Sequence, residues 1–373
     1  MRGNGRQLQE SVTHSRARLL PFVFLALAQA CRGDSAPTAT VPDSTRALVV
    51  ASVRDIGAVR MPPKLVGRDG GNSGLIGGKI LWVFGDTFWS FAAADGATFR
   101  TNTAALADPS LPLATTEPTD SKGAPSQFIP FTAAEKQFND STGKPDDRIA
   151  LWPGSIIPSG SGGLAFFVKL HVRGNLNYEF LGIGLARVAA GSTTATRDPG
   201  LIFGPTDPHF NLAMLTSDYL YVYGDIAGGN SSNFGVGRVA PQDVSTRSAY
   251  RFWNGTGWVA DVTKIASVIS NAPGGASVSY NPYLRQYVAA HAGILSKSMF
   301  LRTAPRPEGP FSAPIEAFAG LEPGGGGGFA VNYAGLEHPE LSKEGGKILA
   351  VTYSHPLPGF LQGEVRLVEV TLR

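Results

Sequence analysis

The sequence predicts an all-β chain folded as a five-bladed β-propeller, and three observations carry that expectation. Glycine and proline are abundant, at 46 and 27 of 373 residues, and few stretches have helical periodicity. Short apolar runs alternate with turn signals throughout. A hairpin-like unit also recurs five times, its turns beginning at 77, 162, 217, 284 and 345, with spacings of 85, 55, 67 and 61 residues. A four-stranded blade with its loops needs about that length, and propellers carry about 4–8 blades. A β-sandwich with insertions is the rival architecture. The propeller domain is expected over 46–373. Its C-terminal strand Val365-Arg366-Leu367-Val368-Glu369-Val370 should lie beside the N-terminal strand Ala47 to Val53, which removes an open edge.

The first unit is the most informative. Gly77-Gly78 reads as a two-residue hairpin loop, followed by the strand Lys79-Ile80-Leu81-Trp82-Val83-Phe84 and then Gly85-Asp86-Thr87. Counting back from the loop sets Asp69, in Gly67-Arg68-Asp69-Gly70-Gly71, opposite Asp86. Like charges facing each other weaken a sheet. Two close carboxylates also push each other's pKa values apart, as acid/base cleavage of a glycosidic bond requires. An ordinary turn, with an aspartate capping local amides, would produce the same string.

The other units carry polar residues at similar offsets. Trp152 faces His171 about a Ser161-Gly162 centre. Asp207, His209 and Asn211 face Asp225, and Ser277 and Ser279 face His291. Glu337, His338 and Glu340 face Tyr353 and His355. Every histidine after His14 thus falls at one of these ends, and in a propeller such ends converge on a central channel. A hydrogen-bonded structural role is the alternative for His171 or His291 taken singly. Trp253-Asn254-Gly255-Thr256-Gly257-Trp258 reads as a hairpin with packed aromatics, 118–147 as a polar insertion, and Gly324 to Gly328 as a loop bordering the site.

The N-terminus reads as a leader. Arg2, Arg6, Arg16 and Arg18 precede an apolar run from Leu19 to Ala28, too short to span a bilayer comfortably. It ends in Leu27-Ala28-Gln29-Ala30-Cys31, a pattern resembling a bacterial lipobox, with Cys31 as the lipidated residue. A plain secretory signal is the alternative. The expected organisation is a signal peptide over 1–31, a flexible Ser/Thr/Ala/Pro-rich tether over 32–45, and lipid anchoring at the periplasmic or outer surface of a bacterium. Cys31 is the single cysteine, so no intramolecular disulfide can form. The formal charge of +3 lies in the leader; beyond residue 31 basic and acidic residues balance. Nucleic acid is therefore not an expected partner, and a monomer is expected.

Gly-x-Ser-x-Gly, His-Glu-x-x-His, phosphate-loop and Cys/His zinc patterns are missing, as are the Asp-box hairpins of sialidase propellers. The strings Gly-Arg-Asp-Gly-Gly, Leu-Trp-Val-Phe-Gly-Asp-Thr-Phe-Trp and Thr101-Asn102-Thr103-Ala104-Ala105-Leu106 resemble the opening of the domain-of-unknown-function family 4185. Tyr250-Arg251-Phe252-Trp253, Ser279-Tyr280-Asn281-Pro282-Tyr283 and His338-Pro339-Glu340-Leu341 are similar to later parts of it. The resemblance implies a five-bladed propeller related to arabinan-cleaving glycosidases, with some members endo-D-arabinanases. It also implies that Asp69 and Asp86 are the family's acidic pair. The Thr-Asp-Leu-Gly element many members carry between them is lacking here.

The function expected is hydrolysis of a furanoside-containing, arabinan-like polysaccharide. Asp69 would be base or nucleophile, Asp86 the acid or its pKa partner, and Glu340 or Glu337 a third carboxylate. Asn102, Trp152, His171, Asp207, His209, Asp225, Ser277, His291 and His338 are substrate-binding candidates. No cofactor is expected, and a structural cation at the propeller centre is left open. The alternative is a glycan-binding or scaffold propeller without turnover.

Overall fold

The structure, a computed structural model, describes residues 45–174, 177–226, 233–273, 275–325 and 331–373. The leader, Cys31 and all but the last residue of the tether lie outside the described residues, as do residues 326–328 of the glycine run. Among the described residues the chain is all-β with one α-helix. No helix there is long and apolar enough to cross a membrane.

In chain order, β1 (Val50–Ala58) is followed by β2 (Leu65–Ile76), β3 (Lys79–Trp89), β4 (Phe99–Arg100), β5 (Thr103–Asp108) and β6 (Leu111–Thr116). After α1 (Ala133–Thr142) come β7 (Asp147–Ser159), β8 (Gly162–Arg173), β9 (Tyr178–Val188) and β10 (Ala195–Arg197). Then follow β11 (His209–Leu215), β12 (Leu220–Asp225), β13 (Phe234–Val239), β14 (Arg251–Trp253), β15 (Trp258–Val259) and β16 (Ser267–Ile269). The last are β17 (Ala276–Asn281), β18 (Gln286–Ala292), β19 (Ser298–Ala304), β20 (Ile315–Ala319), β21 (Tyr333–Glu337), β22 (Ile348–Pro356) and β23 (Gly363–Leu372).

These strands form four hydrogen-bonded sheets, none closed on itself. Three are antiparallel meanders: β7 to β10, β11 to β15 with β16 beside β13, and β17 to β20. The fourth has nine strands, in which β2, β3, β5 and β6 meet β21, β22, β23 and β1 through a single parallel pair, Gly67 with Gly363. The pairing expected between the Ala47 to Val53 and Val365 to Val370 segments is present, since β1 runs antiparallel to β23 with Val53 opposite Val370.

The first strands of successive groups touch in a ring: β2 with β7, β7 with β11, β11 with β17, β17 with β21, and β21 with β2. Apolar side chains fill the space between neighbouring groups. Phe166, Phe203, Phe210 and Phe252 join the β7 and β11 groups, while Ile76, Val83, Leu151 and Phe167 join the β2 and β7 groups. Ile80, Trp82, Phe84, Val365 and Leu367 join the two halves of the nine-stranded sheet. Each fully buried large side chain contributes about 1.5–3 kcal/mol of transfer free energy.

Two hairpin registers differ from expectation. The second hairpin turns at Gly160-Ser161, so Trp152 pairs with Val168 and His171 with Ile149. The fifth is not a tight hairpin: β21 ends at Glu337, and 338–347 makes 3-10 turns at Pro339–Leu341 and Glu344–Gly346 before β22 begins. The insertion 118–147 also contains α1. Thr132 and Glu135 close its first turn as a capping box, a signal the sequence carries as Thr-x-x-Glu. The 253–258 hairpin forms as expected, with Trp253 opposite Trp258.

Candidate functional site

The site begins with an irregularity in the β2–β3 ladder. Near the loop the pairing is regular, from Ile76 with Lys79 to Asn72 with Val83. Gly71 is then skipped, and Gly70 pairs with Phe84. Both Gly70 and Gly71 have φ of +80°, a conformation that strains a residue with a Cβ. The next pair is Arg68 with Thr87, so Asp69 alone stands opposite Gly85 and Asp86. One bulge on each strand re-aims the side chains between them. A Cβ on Gly85 would lie 2.4 Å from Asp69 Oδ1, so the Asp69 carboxylate rests on the bare glycine.

The two carboxylates have different neighbours. Asp86 Oδ2 accepts from Arg148 Nη2 at 2.5 Å, and Oδ1 accepts from Trp152 Nε1 at 3.3 Å; both donors lie on β7. Asp69 Oδ2 accepts from the Tyr333 hydroxyl at 2.8 Å, at the start of β21. The Asp86 side chain is 15 % exposed and that of Arg148 10 %, so the pair opens to solvent. Trp152 meets the exposed Tyr178 edge to face at 5.2 Å. The Tyr178 phenol is raised by burial and then by Asp86, which places it within the field of the pair.

Burial first, and then the charge of Asp86, push Asp69 up to about 7. Burial also raises Asp86, but Arg148 and Trp152 oppose it. Asp69 is therefore suited to hold a proton near neutrality, while Asp86 has a guanidinium and an indole N–H that favour its anionic form. Tyr333 is raised well above its ordinary value by burial and by Asp69, and remains a hydrogen-bond donor.

The other candidates lie elsewhere. Glu340 sits with Ser73 and His338: Ser73 Oγ donates to Glu340 Oε1 and shares a 2.6 Å hydrogen bond with His338 Nδ1. Ser73 is four residues along β2 from Asp69, roughly 13 Å at strand rise. Glu337, Ser277 and Ser279 belong to that same hairpin end. The third carboxylate is thus separated from the acid pair, because β21 enters at Tyr333 and reaches Glu337 only at its far end.

The histidines do not converge. His291 is 2 % exposed, beneath Arg302 and stacked on Phe300. His171 pairs with Asp147 at 2.8 Å, and His209 stacks on Phe180 opposite Asp225. Asp207 fixes a turn through the Gly204 N–H and pairs with Arg247. Asn102 is fully buried, with its amide bonded to Leu151 and Ile129 main chain. Of the sequence candidates, Asp69, Asp86 and Trp152 come together. Arg148, Tyr178 and Tyr333 were missed, because a lone Arg or Tyr in a strand carries no motif. Among the described residues no group of three or more His, Cys, Asp or Glu side chains is set to hold a metal ion.

Solved structures share the fold. A Bacteroides ovatus protein labelled provisionally as a hydrolase superposes with a TM-score of 0.60 at 15% identity, over 83% of this chain and 87% of that one. The GH43_1 enzyme of Xanthomonas citri, complexed with xylotriose, gives 0.52 at 12% identity, over 84% and 89%. CoXyl43, a GH43 β-xylosidase/α-arabinofuranosidase from a compost metagenome, gives 0.50 at 11% identity, over 85% and 95%. No curated relative matches the chain. The resemblance read from the sequence recurs C-terminal to the acid pair, where residues 188–356 match the model of the family described as Domain of unknown function (DUF4185).

Proposed function

We propose that the chain is a glycoside hydrolase built as a five-bladed β-propeller, acting at Asp69 and Asp86 on an arabinan-like, furanoside-containing polysaccharide. The ring of first strands, with a meander behind each, supports the five-bladed reading. The observation that carries the chemistry is the asymmetry of the pair. Asp86 faces Arg148 and Asp69 does not. That favours Asp69 as the group that protonates the leaving oxygen and Asp86 as base or nucleophile, the reverse of the allocation made from sequence. The exposed Tyr178 ring beside Trp152 offers a face on which a sugar can stack. The structural neighbours include xylosidase and arabinofuranosidase enzymes, which favours a pentose-containing polymer.

In this reading the leader directs export and Cys31 carries a lipid, so the protein works at the periplasmic or outer surface as a monomer. Purified protein incubated with arabinans, xylans and galactans should release reducing ends from at least one of them. Binding of a polymer without release would leave the glycan-binding propeller as the better account.

A further inference from the structure

At the hairpin end of the first strands lies a cavity of about 330 Å³, remote from the acid pair. Residues from β2, β7, β11, β17 and β21 wall it, together with 338–340. Ile156, Met214 and Leu336 give it apolar sides, and no lysine or arginine lines it. Its polar side is Glu337 and Glu340, with Ser73, Ser277 and Ser279 between them and His338 and Tyr280 as the other titratable groups.

Glu337 is 6 % exposed. Its Oε2 accepts from Ser279 Oγ at 2.5 Å, and its N–H donates to Ser277 Oγ at 2.6 Å. Among the described residues Oε1 accepts no hydrogen bond, and Glu337 lines the cavity. Glu340 takes the Ser73 hydroxyl and lies 3.7 Å from His338 Nδ1.

We propose that this cavity is a second ligand site, and that its ligand is a small organic cation: a primary ammonium on a compact body such as an amino sugar. Two carboxyl groups share a confined space in which the described residues supply no lysine or arginine. An ammonium brings three N–H donors, which Glu337 Oε1, Glu340 and a serine hydroxyl can accept, and a charge that Glu337 can match by ionising. A divalent metal fits less well, because no three metal-ligating side chains converge among the described residues. The apolar walls suit a carbon skeleton. The protonation states agree. Burial and then Glu340 push Glu337 up to about 8, whereas His338 and then Ser73, acting against burial, hold Glu340 below its usual range. A neutral ligand leaves Glu337 protonated; a cation ionises it and releases a proton.

The test is calorimetric titration of the full chain carrying Asp69→Asn, which removes any turnover at the acid pair and separates this proposal from the hydrolase reading. Glucosamine is the probe, with glucose and calcium chloride as its neutral and metal counterparts. Each is titrated near neutral pH in two buffers of different ionisation enthalpy. Glucosamine should bind with Kd of about 1 mM or tighter, releasing up to one proton per site. Adding Glu337→Gln should weaken it at least about tenfold, the scale of one charged hydrogen-bond partner. Leu215→Trp, at an exposed residue of the cavity wall, keeps both carboxylates and should weaken binding by obstructing the cavity while the melting temperature is retained. The proposal is overturned if glucosamine does not bind, if glucose or calcium binds as well, or if neither substitution changes the affinity.

Discussion

A single guanidinium distinguishes two neighbouring acids. Arg148 bonds Asp86, while the side chain that bonds Asp69 is a phenol, so the equal pair suggested by the sequence becomes an unequal one. The pH profile follows from this. With Asp69 as the acid, activity should fall as pH rises through about 7, where Asp69 loses its proton. With Asp69 as the base, activity would rise through the same region. A pH–rate profile on any cleaved polymer distinguishes the two. Stability obeys a related sign. The folded protein keeps the Asp69 proton up to about 7, whereas the unfolded chain loses it near the ordinary carboxylate value of about 4. Between those values the native state binds more protons than the unfolded one, so this contribution to stability is present at low pH and lost as pH rises through about 7. Thermal melts should show a decline over that window that becomes shallower in Asp69→Asn. Arg148→Met should move the acidic limb of the activity profile to higher pH, because Arg148 holds Asp86 down. An unmoved limb would show that Asp86 does not set it.

The β2–β3 hairpin shows how much of the site the sequence disclosed. Counting from Gly77-Gly78 set Asp69 against Asp86, and the structure brings them together by a less direct route. The extra residue at Gly71 on β2 is offset by the extra residue at Gly85–Asp86 on β3, so the count survives although the ladder between does not. A bulge at one strand alone would have turned one aspartate away. The same counting failed on the other hairpins for local reasons. The second turns at Gly160-Ser161, which shifts His171 off Trp152. The fifth connection is long, which sends Glu337, His338 and Glu340 to the remote cavity. Arg148 could not be found from pattern, because its role depends on the packing of β7 against β2 and β3. Gly85→Ala tests the bulge directly. Its new Cβ would meet Asp69 Oδ1 at 2.4 Å, and displacing that carboxylate should cost about 10²-fold in kcat with the fold retained. Unchanged activity would mean that the Asp69 position is not critical.

The whole molecule was legible as a class more than as a set of contacts. Abundant glycine, recurrent turns and the Val365 to Val370 strand matched an all-β chain whose first and last described strands pair. The histidines misled, because five of them near strand ends suggested one pocket, and packing instead distributes them among separate structural contacts and a second cavity. At this scale the leader also makes a prediction: Cys31→Ser should move the protein from the membrane fraction to the soluble fraction, and unchanged fractionation would contradict lipid anchoring. The central claim is that the unequal acid pair cleaves a glycan. Its most direct test is reducing-end release from the best polymer of the arabinan, xylan and galactan panel, measured for wild type, Asp69→Asn and Asp86→Asn alongside their melting temperatures. The account predicts a loss of at least about 10²-fold in each variant, with the melting temperature of Asp69→Asn near neutral pH held or raised as its burial and the repulsion from Asp86 are relieved. Variants that stay active per folded molecule but melt lower would contradict it, and would make both aspartates structural.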